Sequence, residues 1–279
     1  MADTHHISKY YLPGIKMRSN NFLFNVQEGI ATITFNQPEK HNAIDYEGWK
    51  ILLKEITNLS ENKNIRVVVF TGAGGKSFSA GADIKDFEKN RKDSCSGRIY
   101  SDAFDGALDA IENMPVPTIS KINGICVGGG CELSMATDIR IASGKSKFGI
   151  PVAKLGILVG YREMKRLINL AGSGNASYIL LSGRIFDATE ALQMGLVNQV
   201  VPENKLDNIV SKLAAEMVPL APLSQMRHKK ILSTTVNNPS LFNLSEEETL
   251  LPFSNFDSED FKEGQSAFVE RRVPKFEGK

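Results

Sequence analysis

The chain has 279 residues, 42% hydrophobic and 23% charged, which suits one large α/β domain, or a core with an appendage, that needs no disulfide or metal to hold its core. Its 33 Lys and Arg against 32 Asp and Glu leave a formal net charge of +1, so bulk charge draws it to neither nucleic acid nor a membrane. Three cysteines (Cys95, Cys126, Cys131) and four histidines (His5, His6, His41, His228) argue against a disulfide scaffold and against a structural zinc site.

In chain order, residues 1–20 read as an extension without the apolar core of a signal peptide. No later run reaches the roughly 18 apolar residues of a membrane span, so a cytoplasmic protein is expected. Residues 21–27 and 30–35 predict two strands around Glu28-Gly29, by period-2 alternation and β-branched content. Trp49, Leu52, Leu53, Ile56 and Leu59 recur at helical spacing over 45–59, with Asn42 or Asp45 as the candidate cap and Trp49 as a core anchor. Residues 66–70 predict a buried strand that runs into a glycine-rich stretch ending at Asp83. A looser charged segment follows to Ser96, then a helix over 99–113 that ends before Pro115 and Pro117.

Residues 118–122 and 138–142 predict further strands, with a turn, a glycine cluster and a helix between them. Strands alternating with helices argue an α/β core with largely parallel strands. A helical region begins over Met164–Leu170, broken by Gly172 and Gly174, and its charged residues Arg162, Glu163, Lys165 and Arg166 read as a solvated face. A short helix around Thr189–Leu192, a strand over 197–201, a helix over 205–217 and a mostly helical tail complete the chain.

Two loops share one design: Ser79-Ala80-Gly81-Ala82-Asp83 and Gly128-Gly129-Gly130-Cys131-Glu132. Each follows an extended segment, is built of residues with little or no side chain, and leads toward a helix start with unsatisfied N–H groups. Facing one another, they could aim two N–H groups at one oxygen, as an enolate-forming carbonyl requires. The plainer reading is tight turns or close helix packing. Neither loop completes a phosphate-binding or dinucleotide fingerprint.

With these loops stand Phe35-Asn36-Gln37-Pro38-Glu39-Lys40-His41-Asn42-Ala43, Lys147-Phe148-Gly149, Gly195-Leu196-Val197-Asn198 and the terminal run Ala267 to Phe276. Through these motifs, which span nearly the whole chain, the sequence resembles the enoyl-CoA hydratase/isomerase (crotonase) superfamily. The resemblance implies an α/β core at 21–215, a spiral of β-β-α repeats, followed by a helical trimerisation region at 216–279. It implies a homotrimer or a hexamer built as a dimer of trimers. The substrate would be an acyl-CoA thioester, with coenzyme A part of the substrate and no other cofactor, metal, nucleic acid or membrane partner. Ala82 and Gly129 would donate N–H bonds to the thioester oxygen, and Glu132 would handle the proton. Glu39, Lys40, His41 and Ala43, with Ala80, Gly81, Asp83 and Ile84, would hold the pantetheine and adenine end. Phe268 and Lys275 are counted with the substrate-binding residues, and Lys275 with Phe276 is expected near the adenine, across a subunit boundary.

One position departs from the pattern. The family's hydratases use a second glutamate after the proline that follows the Phe-Gly pair, and here that position is Val152. A general acid or base is worth typically ~10²–10⁴-fold, so the sequence predicts a one-carboxylate site. Tyr161 is the nearest notable polar side chain downstream, either a substrate contact or a wall residue, and Glu163, two residues on, is open either as part of a solvated face or as a group near the site. Hydration of a 2-enoyl-CoA is the leading reading, since Glu132 and the binding frame remain. Double-bond isomerisation and decarboxylation are the alternatives within the family. A non-catalytic acyl-CoA-binding or RNA-binding member is the alternative outside catalysis, and the charge balance weighs against RNA.

Overall fold

The computed structural model describes residues 16–18 and 21–279, and most of the 1–20 extension, with His5 and His6, lies outside them. β1 (Lys16–Arg18) pairs antiparallel with β2 (Phe22–Gln27), which turns at Glu28-Gly29 into β3 (Ile30–Phe35). The chain then enters α1 (Tyr46–Ser60). Its cap is Asp45, whose carboxylate accepts the Gly48 N–H at 2.8 Å. Trp49, Leu52, Ile56 and Leu59 form the buried stripe of α1, and the Trp49 indole N–H donates to the Tyr100 hydroxyl at 2.9 Å.

Three units of one plan follow. β4 (Val67–Gly72) and β5 (Ser77–Ser79) lead through α2 (Phe87–Asn90) to α3 (Ser94–Glu112). β6 (Thr118–Ile122) and β7 (Ile125–Val127) lead to α4 (Gly129–Met135). β8 (Ile139–Ser143) and β9 (Lys147–Gly149) lead to α5 (Tyr161–Ser182). Then come β10 (Phe186–Asp187), α6 (Ala188–Gln193), β11 (Gln199–Val201) and α7 (Glu203–Met217). The C-terminal region holds α8 (Pro222–Asn237), α9 (Glu246–Leu250) and α10 (Glu259–Glu270).

Each unit gives its first strand to a seven-stranded sheet, ordered β1-β2-β3-β4-β6-β8-β11, and its second to a four-stranded sheet, ordered β10-β9-β7-β5. The repeated step of two strands and a helix is the predicted spiral of β-β-α units. From β3 to β11 the large sheet is parallel. Its faces follow the pleat of β4. Val68 and Phe70 join the main core beneath α1 and α3, while Val67 and Val69 join a second layer with Leu206, Val210 and Ala214 of α7.

Two helices differ from the spacing-based expectation. α3 starts at Ser94, not 99, because Asp93 and Ser96 cap it reciprocally: each accepts the other's backbone N–H, at 2.8 and 3.1 Å. Apolar periodicity begins only later, so the charged first turn hides the start. α5 runs on to Ser182, with Gly172 alone non-helical at φ 75° and the helix resuming beyond it. No helix among the described residues is long and apolar enough to cross a membrane.

Candidate active site

β5, β7 and β9 are parallel neighbours in the small sheet, so their carboxyl ends deliver three loops to one edge. The loop after β5 carries Ala80 to Ile84, that after β7 carries Gly128 to Gly130, and that after β9 carries Pro151 to Gly160.

The first loop is fixed by a one-residue parallel bridge between Ile44 and Ala82. Ile44 N–H donates to Gly81 O at 2.8 Å, and Asp83 N–H donates to Ile44 O at 2.9 Å. In such a bridge the residues flanking Ala82 make the bonds, so Ala82's own N–H turns away from Ile44. Ala80 N–H donates to His41 O at 2.9 Å, and the Ser79 hydroxyl donates to Asn42 O at 2.8 Å. Asn42 is 1% exposed and donates its side-chain amide to Ser77 O at 2.8 Å. It therefore staples the 35–43 segment to β5 and does not cap α1.

Gly129 is the first residue of α4, where a helix leaves its N–H unpaired. Among the described residues neither Ala82 N–H nor Gly129 N–H has an acceptor. The two loops touch. Gly81 sits at φ +87°, and a Cβ there would overlap the Gly129 nitrogen. A Cβ on Gly129 would lie 3.4 Å from Ala82 N, so the two free N–H groups stand close together.

They border a cavity of ≈ 280 Å³. Phe87, Phe104, Val152, Leu155, Ile157 and Val159 give it apolar walls, and Glu132, Asp105, Glu163 and Arg91 bring charge to it. Glu132, in the first turn of α4, is 6% exposed. Burial pushes its carboxyl up to about 8, the nearby Glu163 adds to the rise, and Arg91 opposes it. Glu163, in the first turn of α5, is 3% exposed. Burial pushes it up to about 7, helped by the Asp105 carboxyl against it.

Two expectations are corrected here. The cavity is not a one-carboxylate site: Val152 lines it as an apolar residue, but Glu163 and Asp105 line it too. Nor are residues 162–166 a uniformly solvated face. Arg162 and Lys165 are exposed, whereas Glu163 and Arg166 are buried, because α5 packs this side against Asp109 and Glu112 of α3. An i,i+3 Glu–Arg pair has the same spacing on a wet face and on a buried one, so the sequence holds no sign that separates them. Nothing in the local sequence singles out Arg91 or Asp105 as cavity residues either.

Of the residues named from sequence, Ala80, Ala82, Ile84, Gly129, Glu132 and Val152 line the cavity. Tyr161 does not. It is 97% exposed, because the first turn of α5 turns it outward while Glu163 points in. Lys40 and Asp83 form an ion pair at 3.1 Å, linking the 38–43 turn to the first loop. His41 Nδ1 lies 2.8 Å from the Ser77 hydroxyl, and Ala43 N–H donates to Lys40 O at 3.1 Å. Glu39 lies exposed in the same turn. Phe268 lines a separate groove with Phe261 and Phe276, and Lys275 N–H donates to Glu263; neither borders the cavity. No group of three or more His, Cys, Asp or Glu side chains among the described residues is arranged to hold a metal ion.

Comparison with known proteins fits this architecture. Residues 25–279 match the family described as Enoyl-CoA hydratase/isomerase. The chain is 33% identical to the short-chain-enoyl-CoA hydratase of Clostridium acetobutylicum, over 94% of its own length and 98% of that protein's. It is 34% identical to the (E)-benzylidenesuccinyl-CoA hydratase of Thauera aromatica, over 91% and 97% of the two chains. Among solved structures, an enoyl-CoA hydratase/carnithine racemase from Magnetospirillum magneticum superimposes with a TM-score of 0.90 at 34% identity, covering 95% of this chain and 97% of that one.

Proposed function

The chain belongs to the enoyl-CoA hydratase/isomerase family, and on that premise we propose that it adds water across the double bond of a 2-enoyl-CoA to give a 3-hydroxyacyl-CoA. The observation that carries the reading is the placement of two unpaired N–H groups, on Ala82 and Gly129, beside a cavity that also holds the buried Glu132. Attack at C3 drives negative charge onto the thioester oxygen. Two fixed donors at that oxygen stabilise the charge more than they stabilise the neutral carbonyl, which is what lowers a barrier. Glu132 holds a proton near neutral pH and on this reading delivers it to C2. The hydratase names of the two sequence relatives support the same reaction.

On this reading the coenzyme runs out of the cavity past Ala80, Gly81, Asp83 and Ile84 toward the Glu39–Ala43 turn. Assembly into trimers or pairs of trimers completes the proposal. It would cover apolar side chains of the C-terminal region that stand open in the protomer, among them Phe242, Phe253, Phe268 and Val269.

The test is loss of the enoyl thioester chromophore of crotonyl-CoA, with and without Glu132→Gln. The wild type should turn over, and the variant should bind acyl-CoA about equally while kcat falls by ~10²-fold or more. A wild type that moves the double bond of a 3-enoyl-CoA or decarboxylates a malonyl-type thioester, but leaves crotonyl-CoA untouched, would replace hydration by that reaction. A chain that binds acyl-CoA without turnover would make it a binding protein.

A further inference from the structure

We infer that Glu163 is the second proton-handling carboxylate of this site, supplied by the first turn of α5 in place of the loop position that Val152 occupies. The inference deepens the hydratase reading and rests on it. Glu163 lines the same cavity as Glu132, Ala82 and Gly129 and is 3% exposed. The local chain is built around it. Gly160, at the N-cap of α5, is the residue whose Cβ would lie 2.5 Å from Glu163 Oε2, so its bare backbone leaves the carboxylate its place. Arg166, one turn on and 5% exposed, directs its guanidinium mainly at α3: Nε donates to Glu112 Oε2 at 2.9 Å, and Nη2 pairs with Asp109 and Glu112. Its contact with Glu163 Oε1 is long, at 3.5 Å. Glu163 is thus held beside a cation without being locked into a tight ion pair, and the Asp105 carboxyl of α3 lies close enough to raise its proton affinity. A carboxylate kept only for structure would be expected to close on Arg166 as Glu112 does.

Glu163, ionised, takes one proton from a water as the water oxygen bonds to C3. The C2–C3 π electrons move to C2 and the thioester oxygen, held by Ala82 and Gly129. Glu132, protonated, gives its proton to C2. One water has then added across the double bond, and the proton on Glu163 passes to Glu132 through solvent before the next turnover. Gly160 and Arg166 are positioning residues in this scheme.

Two readouts separate a catalytic Glu163 from a structural one. Hydration of crotonyl-CoA needs both carboxylates, whereas exchange of the C2 proton of butyryl-CoA in D₂O needs only Glu132 and the two N–H groups. Glu163→Gln should lower hydration by ~10²-fold or more and leave exchange within a few-fold of wild type, while Glu132→Gln should abolish both. Gly160→Ala, which displaces Oε2 and keeps the carboxyl, should lower hydration selectively as well. If Glu163→Gln hydrates like wild type, or loses both activities in parallel, the role is overturned while the hydratase reading stands. If the wild type exchanges the C2 proton but does not hydrate crotonyl-CoA, the hydratase reading fails and this role fails with it.

Discussion

Glu132 and Glu163 face one cavity, so each makes ionisation of the other less favourable. Burial already holds both well above the ordinary carboxylate range, to about 8 and about 7. Asp105 from α3 adds negative charge, while Arg91 after α2 and Arg166 on α5 offset it. Between these two values Glu132 keeps its proton and Glu163 has lost it, which is the state that hydration needs. kcat for crotonyl-CoA should therefore follow a bell. It falls as pH rises through about 8, where Glu132 loses the proton meant for C2, and falls as pH drops through about 7, where Glu163 gains one. Asp105, the carboxyl against Glu163, shares in the lower limb. Steady-state kcat against pH checks this, and a profile flat across both limbs would contradict it. The pair also shows why a single substitution misleads at the level of motifs. Val152 removes a carboxylate from one loop, and the residue that restores a carboxyl group to the cavity sits 11 positions later on a helix.

At the scale of elements, the reactive geometry depends on where strands stop. β5 and β7 each have three residues, too few to show a period, yet their parallel pairing sets the two glycine loops side by side. The start of α4 can be tested directly. Gly129 is its first helical residue, a position where proline is tolerated because the missing N–H has no helical partner. Gly129→Pro should therefore cost no helical hydrogen bond and remove one of the two donors, though its side chain meets Phe104 and the Gly81 backbone at 3.2 and 3.3 Å and strains the loop. Turnover should drop by roughly 10²-fold or more, as for loss of a single oxyanion donor. Near-normal turnover in a folded Gly129→Pro protein would show that Gly129 does not hold the thioester oxygen. α3 and α5 act as one unit behind the site, because Arg166 joins α5 to Asp109 and Glu112 of α3. The acyl cavity and the proton-handling groups are thus braced by the same two helices.

At the scale of the whole molecule, the β-β-α core and the C-terminal helices differ in burial. The core buries nearly every large apolar side chain on its sheets, whereas α8 buries none of its residues. Phe242 is 87% and Phe268 86% exposed, and Val269 and Val273 are each more than three-quarters exposed. Apolar surface of that kind, spread over one region, is ordinarily covered by another chain. Sedimentation at micromolar concentration should show trimers or hexamers without a dominant monomer, and a monomer with full turnover would remove the proposed assembly. α7 packs on the large sheet and ends at Met217.

The sequence by itself determined an α/β class with largely parallel strands, the main strands and helices and the two glycine loops, while the β-β-α spiral and the role of Glu132 came from the family resemblance. The local readings rest on local signals: alternation in residues 30–35, helical spacing from Trp49 to Leu59, small residues ahead of a helix start. Tertiary structure decided what local signals do not carry. Asn42 reads as a candidate helix cap until its side chain is found against Ser77 O. Tyr161 and Glu163 are two apart on one helical turn, and only the packing of α5 against α3 sends the first to solvent and the second into the cavity. A helix has many faces and its sequence does not say which one a neighbour will cover. Which carboxyl groups line the cavity is a question of that kind, and pairing between elements brings Glu163 and Asp105 there.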